Sequence, residues 1–140
     1  MGRSRGGLTT KLHALVDSNG APVSLKLTEG QAHDGKSAFD MLDGLGPGQI
    51  LLADRAYDSN ALREKLEKQG VWANIRPMPR RKNPPVFCRF TYRYRNTVER
   101  FFSKIKQYRA IACRHDKHDA NFSALIKIAS ARICISVMSP

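Results

Sequence analysis

The stretch Tyr92 to Lys106 reads YRYRNTVERFFSKIK and holds the residues best suited to chemistry. Wound as one α-helix at about 100° per residue, it gathers Tyr92, Arg95, Glu99 and Lys106 into an arc of about 60°. Val98, Phe101, Phe102 and Ile105 fall beside that arc as an apolar stripe, and Arg93, Arg100 and Lys104 form a basic face. A lone acid thus stands between two cations and a phenol. Periodicity alone is equally met by an ordinary amphipathic surface helix.

A second carboxylate stands at Asp54. The run Gln49 to Ala53 (QILLA) is short and continuously apolar, which suits a strand buried on both faces of a parallel sheet. Asp54 follows directly, then a helix from Asn60 to Gln69 capped by Ser59 and ended by Gly70, then a strand from Val71 to Arg76. Asp54 therefore ends a strand before a helical crossover, the edge at which open α/β sheets bind ligands. A turn residue paired with Arg55 is the plain alternative. Two carboxylates from distant parts of a chain, brought together at a sheet edge, suit a divalent cation that prefers oxygen ligands. Magnesium held so can activate a water or hydroxyl and steady a phosphoryl transition state. Arg95 and Lys106 can meet phosphates, Arg by a two-pronged fork and Lys as a point charge.

The elements that must position these groups follow from patterning. Leu12, Ala14 and Val16 alternate, as do Val23, Leu25 and Leu27, around Ser18-Asn19-Gly20, which predicts a hairpin. His13 on the first strand reads as structural. Met1 to Gly7, basic and glycine-rich, reads as a flexible tail. Glu29 to Gly35 is a loop in which Asp34, beside His33, caps a helix from Lys36 to Leu45; Gly46-Pro47-Gly48 then breaks the chain. Pro77 to Phe90 holds four prolines and the cations Arg80, Arg81, Lys82 and Arg89. It reads as an extended, mobile basic loop able to ride on a phosphate backbone. The helix begun at Tyr92 is expected to run to Ala112. His115 and His118, with Asp116 and Asp119, make only a weak metal motif. A last helix from Phe122 to Met138 reads as a packing element.

Composition narrows the function classes. With 41% apolar residues the chain can bury a core as one domain, residues 1–140. A net charge of +12, spread from Arg3 to Arg132, favours a polyanionic partner, nucleic acid first. We read no secretory signal and no apolar run of 18 residues to span a bilayer, so no membrane partner is expected. Three scattered cysteines suggest reduced thiols in a cytoplasmic protein rather than a disulfide framework or a zinc site.

The spacing Tyr-x2-Arg-x3-Glu-x6-Lys, met by Tyr92, Arg95, Glu99 and Lys106, resembles the signature around the catalytic glutamate of bacterial insertion-sequence transposases of the DDE class. ADRAYDS around Asp54 resembles their second-aspartate region. GRSRGGLTTKLHALVD and TEGQAHD are similar to the two-strand segment between the first and second aspartates. The resemblance covers nearly the whole chain. It implies a ribonuclease H-like mixed α/β sheet with helices, and Mg²⁺-dependent (Mn²⁺ is an alternative ion) cleavage of transposon ends with strand transfer to target DNA. Carried over, Asp54 and Glu99 are catalytic metal ligands. Tyr92, Arg95 and Lys106 contact DNA, with Arg80, Arg81 and Lys82 on the basic loop.

The family's first catalytic aspartate lies on a central strand upstream of GRSRGG. The resemblance therefore implies the C-terminal part of the catalytic domain, inactive alone, with an upstream polypeptide supplying that strand and aspartate and a homo-oligomer as the active form. A non-catalytic basic DNA-binding module and an unrelated basic nuclease or ribosome-associated protein are the competing classes.

Overall fold

The computed structural model describes residues 2–4, 7–30, 32–112 and 118–139. The chain is mixed α/β and divides into two compact units, Met1–Gln31 with Asn96–Pro140, and Ala32–Arg95.

The first unit is an antiparallel sheet with helices. Strands β1 (Gly2–Ser4), β2 (Gly7–Val16) and β3 (Pro22–Glu29) pair in that order. The β2–β3 register sets Leu12 against Leu27 and Ala14 against Leu25. With a side-chain period of two, these residues fall on one face, and all four pack on the core. The turn is fixed by Asp17, whose Oδ1 accepts from the Asn19 and Ala21 N–H groups, each at 2.9 Å. Gly20 adopts φ +90°, open to glycine at no steric cost. His13 is structural: its ring is buried and its Nε2 lies 2.8 Å from the Thr28 hydroxyl. The expected flexible tail needs correction, since Gly2, Arg3 and Ser4 pair with Thr9, Leu8 and Gly7.

Helices α4 (Asn96–Ile105), α5 (Arg109–Ala112) and α6 (Asp119–Met138) complete this unit. Phe101 and Ile105 from α4 join Phe122, Ile126, Ala129 and Ile133 from α6 in the core. By length and composition α6 is long and apolar enough to cross a bilayer, which corrects the reading that no apolar run suffices. Its buried apolar positions, Phe122, Ile126, Ala129 and Ile133, recur every three or four residues and belong to this core, as a packing helix requires.

The single helix expected from Tyr92 to Ala112 is broken. A one-turn helix α3 (Arg89–Tyr92) is followed by a 3₁₀ turn, Arg93–Arg95, then α4, a turn, and α5. A 3₁₀ turn advances about 120° per residue instead of 100°, so the 60° arc does not carry across it. Only the stripe within α4 survives as read, with Phe101 and Ile105 buried.

The second unit is built on a parallel pair. Strand β4 (Ile50–Ala53) runs beside β5 (Trp72–Ile75), with Ile50 opposite Trp72 and Ala53 opposite Ile75. Helix α2 (Asn60–Lys68) is the crossover. The Ser59 hydroxyl accepts from Leu62 N at 3.2 Å, and Gly70, at φ +74°, ends the segment as expected. Leu62 and Leu66 on α2 are fully buried. Burial of β4 on both faces needs correction: Leu51 is buried but Ile50 is 48% exposed, because this sheet has two strands among the described residues.

The expected helix from Lys36 to Leu45 is a five-residue α1 (Asp34–Ala38) and a 3₁₀ turn, Phe39–Leu42. His33, not Asp34, holds the N-cap position, without a side-chain cap bond. Asp34 lies in the first turn, where a negative charge meets the helix dipole favourably.

Candidate functional site

Asp54 stands where the parallel pair ends. The β4 strand stops at Ala53, whose carbonyl accepts from Arg76 N, and the chain enters a 3₁₀ turn, Arg55–Tyr57. Asp54 caps that turn: its Oδ1 accepts from Ala56 N at 3.0 Å. This fixes the carboxylate by its own backbone and leaves the side chain 46% exposed. Its Oδ2 lies 4.0 Å from Nη1 of Arg95, whose guanidinium also stands 5.5 Å from the Tyr92 ring centroid. Tyr92 is held by an edge-to-face contact with Phe87 at 4.9 Å. Asp54, Arg95 and Tyr92 thus come together, although the helix expected to align the last two does not run through them.

Sequence reasoning missed two neighbours of Asp54. Helix α1 packs against the Arg55–Tyr57 turn in ordinary van der Waals contact, a Cβ on Gly35 falling 3.7 Å from the Ala56 carbonyl oxygen. Tyr57 is pushed up to about 12 by burial, then by the negative charges of Asp34 and Asp54. Asp34 and Tyr57 therefore share the electrostatic surroundings of Asp54. The only sequence signal was their place in the TEGQAHD and ADRAYDS stretches.

The basic loop is anchored, which corrects its reading as mobile. Asp58, its side chain fully buried, accepts from Arg63 Nε (2.7 Å), Arg81 Nε (2.7 Å), Arg81 Nη2 (2.8 Å) and Met78 N (2.7 Å). Burial pushes the Asp58 carboxyl up, but the bonds from Arg81, Met78 and Arg63 outweigh it and hold it below the usual range. Arg63 also donates to the Ala73 and Ile75 carbonyls, so the clamp joins α2, β5 and the loop. At the far end, the buried Asn74 amide bonds both the N–H (2.9 Å) and the carbonyl (3.0 Å) of Cys88. Of the loop cations read as DNA contacts, Arg81 is turned to Asp58 and Asn60, while Arg80 and Lys82 are exposed.

Glu99 and Lys106 belong to the other unit. Glu99 is exposed in the first turn of α4; Lys106 is exposed just past its end, its N–H bonded to the Phe102 carbonyl. The His115–His118 motif lies partly outside the described residues. Among those described, no three His, Cys, Asp or Glu side chains gather as a metal site. Asp54 offers carboxylate oxygens half open to water, the donor type that a hard cation prefers, with the Arg95 guanidinium beside one of them.

Comparison with known proteins supplies the family. The family described as a transposase DDE domain matches residues 2–134. A protein named as a transposase for insertion sequence element IS6501, from Brucella ovis, is 38% identical over 128 residues, covering 90% of this chain and 98% of its own. Another, named for insertion sequence element IS402 of Burkholderia cepacia, is 25% identical over 149 residues, covering 94% of this chain and 64% of its own. No solved structure matches. With the family matched from the first strand into the last helix, and a relative of similar length sharing over a third of its residues, the chain belongs to the bacterial insertion-sequence transposases of the DDE type.

Proposed function

We propose that the chain is a DNA cleavage and strand-transfer domain of ribonuclease H-like fold, in which Asp54 and Glu99 are catalytic metal ligands. Transposases of this type use divalent ions; Mg²⁺ is the ion proposed, with Mn²⁺ able to replace it. The observation that carries the reading is Asp54, fixed at the end of a parallel strand with Arg95 and Tyr92 beside it. When bound, the ion supplies an activated oxygen nucleophile and charge stabilisation for phosphoryl transfer. The Ala56 N–H holds the Asp54 Oδ1 in place, and the carboxylate would hold the cation. Arg95 balances Asp54 in the free protein and is positioned to turn its guanidinium to a phosphate when DNA enters. Lys106 and Tyr92 hold the strand near the cut. Arg80 and Lys82 meet the backbone further along, with Arg81 serving them by fixing the loop.

As the family resemblance implies, we further propose that another carboxylate is supplied in trans by an upstream segment, and that the active form is a homo-oligomer in the cytoplasm at the nucleoid. The test is a strand-transfer assay on transposon-end DNA with Mg²⁺, using the chain alone and with the upstream segment. Cleavage and joining are expected only with the segment, and both are lost in Asp54→Asn and Glu99→Gln. Transfer by the chain alone, or by Asp54→Asn, would refute the reading. DNA binding with no cutting in any combination would instead establish a non-catalytic DNA-binding module.

A further inference from the structure

Between Arg76 and Arg95 there are seven cations and no acid. Within this segment the aromatic rings divide into two groups. Phe87 and Tyr92 pack on each other and are half-buried. Phe90 and Tyr94 do the opposite, with 63% and 58% of their surface exposed. They stand four residues apart on α3 and the 3₁₀ turn after it, and Arg93 lies with them. Its guanidinium is 4.1 Å from the Phe90 centroid and 5.7 Å from that of Tyr94.

Single exposed aromatics are ordinary, but here two rings and a guanidinium gather at one spot on a short segment. The start of this segment is pinned, because α3 follows Cys88, whose backbone is bonded on both sides by the buried Asn74. The surface is an aromatic shelf with a planar cation over it, in a stretch of one charge sign. Aromatic rings and guanidinium planes stack on unpaired nucleobases, and surrounding cations hold the phosphates that join those bases. A protein partner with an apolar patch would meet the rings but would need acids to match the cations. A paired duplex would satisfy the cations and leave the rings uncovered, since its bases present their faces to each other.

We propose that Phe90, Arg93 and Tyr94 form a stacking platform for unpaired bases of a single DNA strand, beside the Asp54 site of the same unit. The proposal rests on the DNA reading above and adds to it a preference for DNA whose bases are exposed. Such a platform would hold a strand that has opened from its duplex.

The test measures binding by fluorescence anisotropy at fixed salt. It compares an oligothymidine strand, an abasic strand of equal length and charge, and a duplex. The oligothymidine should bind at least about tenfold more tightly than the abasic strand, the effect of a single stacked base. The double variant Phe90→Ala, Tyr94→Ala should lose that preference while keeping its affinity for the abasic strand and the duplex. Phe90→Trp should keep the preference. Both aromatic positions are exposed, and an unchanged thermal midpoint verifies folding. Equal binding of thymidine and abasic strands, or a preference that survives the double variant, overturns the platform and leaves the DNA reading standing. Failure to bind any of the three DNAs overturns both.

Discussion

Replacing Asp58 with alanine tests the claim that a buried ion-pair clamp, not loop chemistry, fixes the basic segment. The carboxylate takes four hydrogen bonds, three from the guanidinium groups of Arg63 and Arg81 and one from Met78 N. Removing one partner of a buried pair leaves the other charges uncompensated and costs about 3–5 kcal/mol. Arg63 keeps the Ala73 and Ile75 carbonyls and Arg81 keeps Asn60, so Asp58→Ala belongs near the lower end, about 3 kcal/mol. That is a large part of a domain stability of about 5–15 kcal/mol. With a urea slope of about 2 kcal/mol per molar, the unfolding midpoint should fall by about 1.5 M. Arg81→Met, which leaves the Arg63–Asp58 pair intact, should cost less and expose the loop to trypsin at Arg80 and Lys82.

The pH dependence carries the same signature. The Asp58 carboxyl is held below its ordinary value, so the stability it contributes is present above about pH 4, its unfolded range. That contribution is lost as pH falls through the lower folded value. Asp58→Asn should flatten this acid limb. An Asp58→Ala protein within about 0.5 kcal/mol of the parent, the ordinary range for surface changes, would refute the clamp.

Tyr57 should titrate near pH 12 in an ultraviolet phenolate titration, and that step should vanish in Tyr57→Phe. Because its folded value lies above the unfolded value of about 10, its contribution to stability is complete below pH 10 and is lost as pH rises through 12. Removing both exposed loop cations in Arg80→Ala, Lys82→Ala should lower the log–log salt slope of DNA binding by about 2, since each phosphate contact contributes about 0.9. An unchanged slope would place the phosphate contacts elsewhere.

The sequence by itself determined the family and those elements that rest on interactions between near neighbours. The β2–β3 hairpin, the Ser59 cap and the Gly70 stop were readable because side-chain alternation, a capping hydroxyl and a glycine at positive φ act within a few residues. The spacing of Tyr92, Arg95, Glu99 and Lys106 identified the family even though the single helix assumed for it is broken, because spacing is preserved whatever the backbone does between. The tertiary structure decided what those elements do to one another. Asp58 and Arg81 are 23 residues apart and Asn74 and Cys88 are 14 apart, so no periodicity could pair them. Pairing Gly2–Ser4 with β2 turned an apparent tail into a strand, since backbone ladder bonds do not depend on side-chain hydrophobicity. The neighbourhood of Asp34, Tyr57 and Asp54 likewise arose only when α1 packed on the turn after β4, because charges act through space and not along the chain.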